Sequence, residues 1–198
     1  MILIYMAHTE QIISGNLLLW TDCEFTGLPL LEGHKIIEIG TIVTDLALNE
    51  IDSYESFVKY DPVVVEGLMA KNPWWSEHSQ DIPRMLAGIT TAKLPDEVDK
   101  DLAYIVDSYF KDEKPALCGN SVHSDKTHID VEFKDFASRL NYQIIDVSSL
   151  KLVLKKYLGI EYTDKKHLHY ALSDIRESID EMRFILGKLG IKNFDDVR

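Results

Sequence analysis

Residues 17–28 read LLLWTDCEFTGL, an apolar run that ends in two acidic side chains one position apart, Asp22 and Glu24. Successive side chains of a strand point to opposite faces, so these two acids share one side of the strand and Cys23 faces the other. Two carboxylates that close repel each other unless a cation lies between them. Mg²⁺ is a common partner because it prefers oxygen ligands. The run therefore predicts a strand that carries part of a metal site.

The pattern downstream of this strand changes from strands to alternating helices and strands. Two further strands are predicted at 35–45 and 51–59, and the short links favour an antiparallel meander, followed by short helices and loops over 62–94. Short apolar runs predict strands at 115–119 and 143–147. Apolar residues at helical spacing predict helices over about four turns from Pro95 and over 125–140, 148–157 and 172–189. This order predicts an α/β fold with a mixed sheet flanked by helices.

Length and composition are typical of one globular domain, with 198 residues of which 45% are hydrophobic. We expect a single domain over 17–198 and treat 1–16 as an N-terminal extension. That extension begins with a short apolar run without a basic leader, too short to span a bilayer. The two cysteines, Cys23 and Cys118, cannot build a disulfide framework. We therefore expect a cytoplasmic protein with no membrane attachment.

The charge of the chain limits the kind of nucleic acid it can bind. With 21 basic and 33 acidic residues, its formal net charge is −12. Proteins that hold long DNA or RNA do so through many phosphate contacts from Lys and Arg. A short substrate therefore fits better than a long duplex.

A metal site on Asp22 and Glu24 needs further acids, and two stand where an element begins. Asp125 lies where a loop leads into a helix, and Asp174 lies early in the last predicted helix, next to its apolar stripe. Each has an alternative explanation taken alone: Asp125 as a helix N-cap and Asp174 as a charge that complements a helix dipole. Likewise, His169 taken alone could be an ordinary surface residue.

The order and spacing of these residues resemble the three motifs of the DEDD exonucleases in the DnaQ-like branch of the ribonuclease H-like fold. The first motif is Asp22-X-Glu24, the second runs from Asn120 to Asp125, and the third is His169 followed by Asp174. The His-X₄-Asp spacing is typical of the subgroup that uses a histidine as its base.

Four longer runs resemble the oligoribonuclease family within that subgroup: WTDCEFTGL at 20–28, CGNS at 118–121, DVSSLK at 146–151 and ALSDIRES at 171–178. The similarity extends from about Leu17 to Leu189. It implies a ribonuclease H-like fold, with a mixed five-stranded sheet of three antiparallel strands followed by two parallel strands, flanked by helices.

The resemblance implies a 3′ to 5′ exoribonuclease that degrades short RNA, especially dinucleotides, to nucleoside 5′-monophosphates. Two divalent ions, Mg²⁺ or Mn²⁺, would be held by Asp22, Glu24, Asp125 and Asp174. His169 would be the general base, a suitable role for a side chain whose ordinary pKa is about 6.5.

The resemblance also implies residues that contact the bases of the substrate. Leu28, just after the first motif, matches a leucine that wedges between two bases. Trp75 and His78 match the pocket for the terminal nucleotide, although their spacing fits only approximately. Leu28 has an equally good explanation as a core residue beside a turn, and Trp74 and Trp75 fit a core or interface role better than a ligand platform.

A second group of implied contacts surrounds the 5′ phosphate. Ser121 and Ser148 match positions near that phosphate, and Tyr142 matches a tyrosine that reaches the site from the second subunit of a homodimer. Gln143 stands where the family usually has an arginine, which removes an expected positive charge. Asp146 looks like a fifth ligand, but because a helix starts at Ser148 we interpret it as structural.

Three other functions compete with this prediction. A proofreading DNA exonuclease or a tRNA-trimming ribonuclease on the same scaffold would act on longer single strands and would need a basic groove. A non-catalytic binding module is disfavoured because all five catalytic positions are present. An unrelated metal-dependent phosphatase would hydrolyse a monoester and leave a dinucleotide intact.

Overall fold

The computed structural model describes residues 16–163 and 170–191. Within those ranges, one sheet contains the strands β1 (Leu17–Phe25), β2 (Ile36–Asp45), β3 (Glu50–Phe57), β4 (Leu117–Gly119) and β5 (Ile144–Asp146). Their order across the sheet is β3-β2-β1-β4-β5. The first three strands pair antiparallel, and β4 and β5 add on parallel to β1. The predicted sheet is therefore confirmed, and the boundaries predicted for β2 to β5 lie within two residues of the observed ones.

Helices flank this sheet. They are α1 (Pro62–Met69), α2 (Pro73–Glu77), α3 (Ile82–Thr91), α4 (Pro95–Phe110), α5 (His123–Glu132), α6 (Lys134–Ser138), α7 (Val147–Leu158) and α8 (Ala171–Lys188). The predicted helix from Pro95 has 16 residues, the expected four turns and a little more. Among the helices described, none is long and apolar enough to cross a membrane.

Both faces of β1 and β2 are covered, so every residue along these two strands is buried or half-buried. On one face, Leu19 and Cys23 belong to a core that includes residues of α4, α5 and α6. On the other face, Trp20 and Ile42 pack in a core with residues of α7 and α8. Cys23 thus faces away from the side that carries Asp22 and Glu24, as the alternation predicts.

The single helix predicted over 125–140 is wrong. The chain forms two helices there, because Phe133, which is fully buried, leaves the helical conformation with φ −121° and ψ 77°. A new helix can start at this point because the carboxylate of Asp99 on α4 accepts hydrogen bonds from the backbone N–H groups of Asp135 and Phe136 at 3.0 and 2.8 Å. This cap comes from a distant part of the sequence, so local periodicity did not reveal it.

Candidate active site

The carboxylates of β1 and α8 converge on one face of the sheet. Asp22 and Glu24 point to the side that α8 covers, and Asp174 lies in the first turn of α8. One carboxylate oxygen from each of Asp22, Glu24 and Asp174 lies within 4.8 Å of the other two. Sequence positions more than 140 residues apart are therefore brought to one point, as the proposed motif requires.

A glycine lets α8 come this close to the sheet. Gly40 on β2 is the register partner of Asp22. A β-carbon at Gly40 would lie 3.0 Å from the β-carbon of Ala171 and 3.1 Å from the side chain of Ile175. Ala171 and Ile175 belong to the first turns of α8, so the missing side chain makes room for the helix start that carries Asp174.

Asp125 approaches the same strand, β1, from the face of the sheet that α4, α5 and α6 cover. It lies in the first turn of α5, is 5% exposed, and its Oδ1 accepts a hydrogen bond of 2.9 Å from the backbone N–H of Cys23. Cys23 separates Asp22 from Glu24, so Asp125 is fixed beside both. The helix N-cap position is Val122, so the N-cap explanation for Asp125 does not apply.

Burial and mutual repulsion raise the pKa of these carboxyl groups. Burial raises the pKa of Glu24 to about 8, with a further increase from the nearby Asp174 and Glu38 and an opposing effect of Arg84. Burial also raises the pKa of Asp125 to about 7. The pKa of Asp22 lies well above its ordinary value, first through burial and then through the charges of Asp125, Glu24 and Asp174.

This donor set fits a divalent cation. Buried carboxylates this close together are unfavourable as anions unless a positive charge compensates them. Their oxygens are hard ligands of the kind that Mg²⁺ and Mn²⁺ prefer. The chemistry of the cluster therefore matches a divalent metal site built on Asp22, Glu24 and Asp174, with Asp125 beside it.

A cavity of about 500 Å³ opens next to Glu24. Its lining residues are Glu24, Phe25, Gly27, Leu28, Pro29, Asn72 and Trp74. Leu28 is 60% exposed there, which is unusual for a core leucine, and its backbone carbonyl lies 3.0 Å from the Nε2 of His128. Leu28 thus has a fixed backbone and an exposed side chain, so the core explanation for it is wrong.

The tryptophan that lines this cavity is Trp74, whereas the sequence analysis assigned the contact to Trp75. Trp75 is 1% exposed, and its indole N–H donates to the backbone carbonyls of Phe25 and Thr26. Trp74 stacks on His78, with ring centroids 3.9 Å apart and planes at 9°. We therefore move the base-pocket assignment from Trp75 to Trp74 and keep His78 beside it.

The two serines assigned to the 5′ phosphate lie together at the ends of β4 and β5. The hydroxyl of Ser121 donates to that of Ser148 at 3.2 Å, and Ser148 donates to the side-chain oxygen of Asn120 at 3.0 Å. Asp146 caps α7 by accepting from the backbone N–H groups of Ser148 and Ser149, so its structural interpretation is confirmed.

The remaining predicted residues lie apart from these clusters or outside the described ranges. The Tyr142 side chain is 87% exposed. His169 lies outside the described residues, and α8 begins two positions after it.

Sequence reasoning missed a partly buried ion pair close to the carboxylates. Glu38 is the register partner of Glu24, and both of its oxygens accept hydrogen bonds from Arg84, at 2.9 and 2.7 Å. The signal was available, since Glu38 interrupts the apolar run Ile36-Ile37-Glu38-Ile39. A buried acid in such a run needs a cationic partner, but the sequence did not say which one.

Comparison with known proteins agrees with this geometry. The family model RNase_T, described as Exonuclease, matches residues 19–182. The chain is 33% identical to the oligoribonuclease of Streptomyces griseus over 84% of this chain and 83% of that protein. It is 32% identical to the oligoribonuclease of Vibrio cholerae (strain ATCC 39541) over 86% of this chain and 94% of that protein.

Solved structures share the fold at lower identity. Exonuclease I from Methylocaldum szegediense matches with a TM-score of 0.56 and 18% identity over 87% of this chain. E. coli exonuclease I in complex with a 5cy-dT13 oligonucleotide matches with a TM-score of 0.53 and 15% identity. The chain spans 40% of the length of each of these larger proteins. With the family model and the relatives above, these observations establish that the chain belongs to the RNase_T exonuclease family and is related over most of its length to oligoribonucleases.

Proposed function

We propose that this protein is a 3′ to 5′ exoribonuclease that hydrolyses short RNA, above all dinucleotides, to nucleoside 5′-monophosphates. The observation that carries the proposal is the cluster of Asp22, Glu24 and Asp174, within 4.8 Å of one another, in a chain related to oligoribonucleases. We place the activity in one domain over 17–198, and the cytoplasm remains the predicted compartment.

The four carboxylates are proposed to hold two ions, Mg²⁺ or Mn²⁺. When bound, such ions polarise the scissile phosphodiester and stabilise the charge on the attacking and leaving oxygens. Asp22, Glu24 and Asp174 would supply ligand oxygens directly, and Asp125 would complete the set. Glu24 and Asp125 are buried, and burial strengthens the interaction of a carboxylate with a cation.

His169 is proposed to accept the proton of the attacking water. It precedes Asp174 by five positions in the chain, the spacing of the third motif. Loss of a proton makes water a better nucleophile toward the phosphorus, and the imidazole then releases that proton to solvent.

The cavity beside Glu24 suits the last bases of a short RNA. Leu28 and Trp74 offer apolar surfaces against which bases can stack, and stacking depends little on which base is present. Affinity would then come from stacking, metal and a few hydrogen bonds. A net charge of −12 is compatible with this mode of binding because few phosphates need to be neutralised.

The first test is hydrolysis of 5′-labelled RNA oligomers of two to about seven residues with Mg²⁺ or Mn²⁺, with Asp22→Ala as control. Fast cleavage of the dinucleotide, lost in the variant, is expected and would show that Gln143 is tolerated. Preferential cleavage of longer RNA or DNA would instead assign the protein to the long-strand exonucleases. Hydrolysis of a mononucleotide monoester, with no diester cleaved, would identify a phosphatase.

We further propose that the active form is a homodimer in which Tyr142 completes the partner's site. The support is the exposure of Tyr142 and of one face of α7, which follows it in the chain. On that face, Leu150, Val153 and Tyr157 are 36%, 52% and 83% exposed. Large apolar side chains that share an exposed helix face are a common feature of protein interfaces.

Tyr142→Ala is expected to lower turnover of a dinucleotide about tenfold or more while leaving the dimer intact. The reason is that Tyr142 is assigned to the 5′ phosphate, and a hydrogen bond to a charged group is worth about 1.5–3 kcal/mol, or about tenfold or more in rate. Steady-state kinetics and light scattering measure the two effects. Tyr104→Ala is the matched control, since Tyr104 on α4 is also exposed, at 72%.

A hybrid dimer tests whether Tyr142 acts across the interface. When the two variants are co-expressed, the Tyr142→Ala subunit keeps Asp22 and the Asp22→Ala subunit keeps Tyr142. Their hybrid dimer therefore contains one complete site, in which the first subunit supplies Asp22 and the second supplies Tyr142. Activity above that of either parent is expected. A monomeric active enzyme, or a hybrid no better than its parents, would refute the dimer proposal.

The raised pKa values predict a specific pH dependence of stability without metal. Because the folded protein keeps the Glu24 proton up to about pH 8 and the unfolded chain loses it near pH 4.5, the folded state binds more protons between those values. Stability therefore falls as pH rises through that window. In chelator, we expect Tm to fall by about 4–8 °C between pH 5.5 and 8, which corresponds to about 2 kcal/mol.

Divalent ions should reverse this trend because they bind the deprotonated carboxylates. The increase of Tm on adding Mg²⁺ or Mn²⁺ is expected to be larger at pH 8 than at pH 6. Glu24→Gln is the control: without metal its Tm should depend less on pH, and metal should stabilise it little. Equal pH slopes in the wild type and in this variant would contradict the assignment of the cluster.

A further inference from the structure

Arg84 on α3 joins two parts of the site that are distant in sequence. Its guanidinium group donates to both oxygens of Glu38, at 2.9 and 2.7 Å, and lies over the ring of Tyr170 at 4.2 Å from the centroid. It also lies 5.3 Å from the ring centroid of Phe57. A planar guanidinium can form a bidentate ion pair at its edge and stack on an aromatic ring with its face, a combination that lysine cannot reproduce.

Glu38, the ion-pair partner of Arg84, lies within the sheet beside the carboxylate cluster. Glu38 is opposite Glu24 in the antiparallel register, so the two side chains are neighbours on the same face. The Glu38 side chain is 1% exposed and the Arg84 side chain 24%. A buried carboxylate is a fixed anchor for its partner, because separating the pair would leave an uncompensated charge in the interior.

Tyr170, the aromatic partner of Arg84, lies at the start of α8. Tyr170 is the N-cap residue of that helix, and its backbone carbonyl accepts the hydrogen bond of 2.9 Å from the N–H of Asp174. Glu55 of β3 also accepts from the N–H of Leu172, at 3.3 Å. The position of Tyr170 therefore determines where the first turn of α8 begins and where Asp174 projects. His169 directly precedes Tyr170 in the chain.

We propose that Arg84 is a positioning residue for hydrolysis: anchored on Glu38 and stacked on Tyr170, it fixes the start of α8 and thereby holds Asp174 in register with the carboxylates of β1. This inference rests on the proposed function. Arg84 acts through Tyr170 and touches no reacting atom. Its effect is on placement, and a misplacement of about 1 Å in an active site can lower the rate about 100-fold.

The test compares Arg84→Lys, Tyr170→Ala and Tyr170→Phe with the wild type in dinucleotide hydrolysis. Arg84→Lys and Tyr170→Ala are expected to lower kcat about tenfold or more with KM changed less than about twofold, whereas Tyr170→Phe keeps the ring and should stay near wild type. Combining Arg84→Lys with Tyr170→Ala should lower kcat little further than either change alone, because each change removes the same contact between Arg84 and Tyr170.

Arg176→Lys is the matched control. Arg176 lies on α8 and donates to both oxygens of Glu50, at 3.0 and 2.9 Å, in a bidentate pair like that of Arg84 and Glu38. A role limited to general stability would make this variant and Arg84→Lys lose activity in proportion to their loss of Tm. That result, or an unchanged kcat in Arg84→Lys, would overturn the proposal.

Hydrogen–deuterium exchange of the amides at 171–175 separates this inference from the proposed function, since it needs no activity. Faster exchange in Arg84→Lys and Tyr170→Ala, but not in Tyr170→Phe or Arg176→Lys, is expected. Unchanged exchange in the first two variants would overturn the inference even in an active enzyme. Wild-type protein that cleaves no diester would refute the proposed function but not the inference about Arg84. The exchange data would then decide whether Arg84 fixes the start of α8.

Discussion

Asp174→Asn is expected to lower kcat for dinucleotide hydrolysis by about 1,000-fold or more. Asparagine keeps the size and shape of the side chain but removes one negative charge from the group of three oxygens within 4.8 Å. Metal ions stabilise a phosphodiester transition state by several kcal/mol, and about 4 kcal/mol corresponds to about 1,000-fold in rate. The loss should appear in kcat measured with saturating metal, since a weaker metal site alone would be compensated by more metal.

The same variant has a second expected effect, on proton release. Asp174 helps to raise the pKa of both Glu24 and Asp22, so its replacement should lower those pKa values in the metal-free protein. Metal binding expels protons from carboxyl groups whose pKa lies near the working pH. Calorimetric titration with Mn²⁺ at pH 7.5 in two buffers of different ionisation enthalpy should therefore show fewer protons released by Asp174→Asn than by the wild type.

Asp180→Asn provides the control for both measurements. Asp180 lies on the same helix but is exposed and forms an ion pair with Arg183 on the surface. It should keep wild-type turnover and proton release, since exposed ion pairs contribute little. Wild-type kcat in Asp174→Asn would remove this residue from the site.

The part of the site that lies on β1 was predictable from the sequence because it depends on local geometry. The alternation of side chains along a strand puts Asp22 and Glu24 on one face whatever the rest of the chain does. The strand order and the convergence of Asp125 and Asp174 depend on contacts between distant segments. They were accessible only because the motifs resemble a known family, and periodicity alone left Asp125 and Asp174 with simple structural explanations.

The features that sequence analysis missed all depend on tertiary contacts. The break between α5 and α6 at Phe133 requires a cap from Asp99. The carboxylate of Asp99 accepts a hydrogen bond from the backbone N–H of Asp135, 36 residues further along the chain. The choice between Trp74 and Trp75 depends on which indole bonds to the loop after β1. The partner of Glu38 comes from α3, 46 residues away. Local propensity contains no information about such partners, so these positions could not be assigned before the fold was known.

His169→Ala is expected to lower kcat by a factor of about 100 to 10,000, the usual contribution of a positioned general base. His169 is the only catalytic position predicted to supply a base near neutral pH, since the four carboxylates are assigned to metal. In the wild type, log kcat should rise with unit slope at acidic pH and level off near the base pKa, ordinarily about 6.5. The variant should lose that rise, because the group that titrates is gone.

The pH profile makes this prediction sharper than the rate alone. Carboxylates that must be deprotonated to bind metal also titrate, but their contribution shifts with metal concentration, whereas that of a general base in saturated enzyme does not. Profiles at saturating metal therefore isolate His169. His167→Ala is the matched control, since His167 lies two positions earlier in the same run, KKHLHY. If His167→Ala lost the rise and His169→Ala kept it, the base would be His167 and the His-X₄-Asp assignment would be wrong.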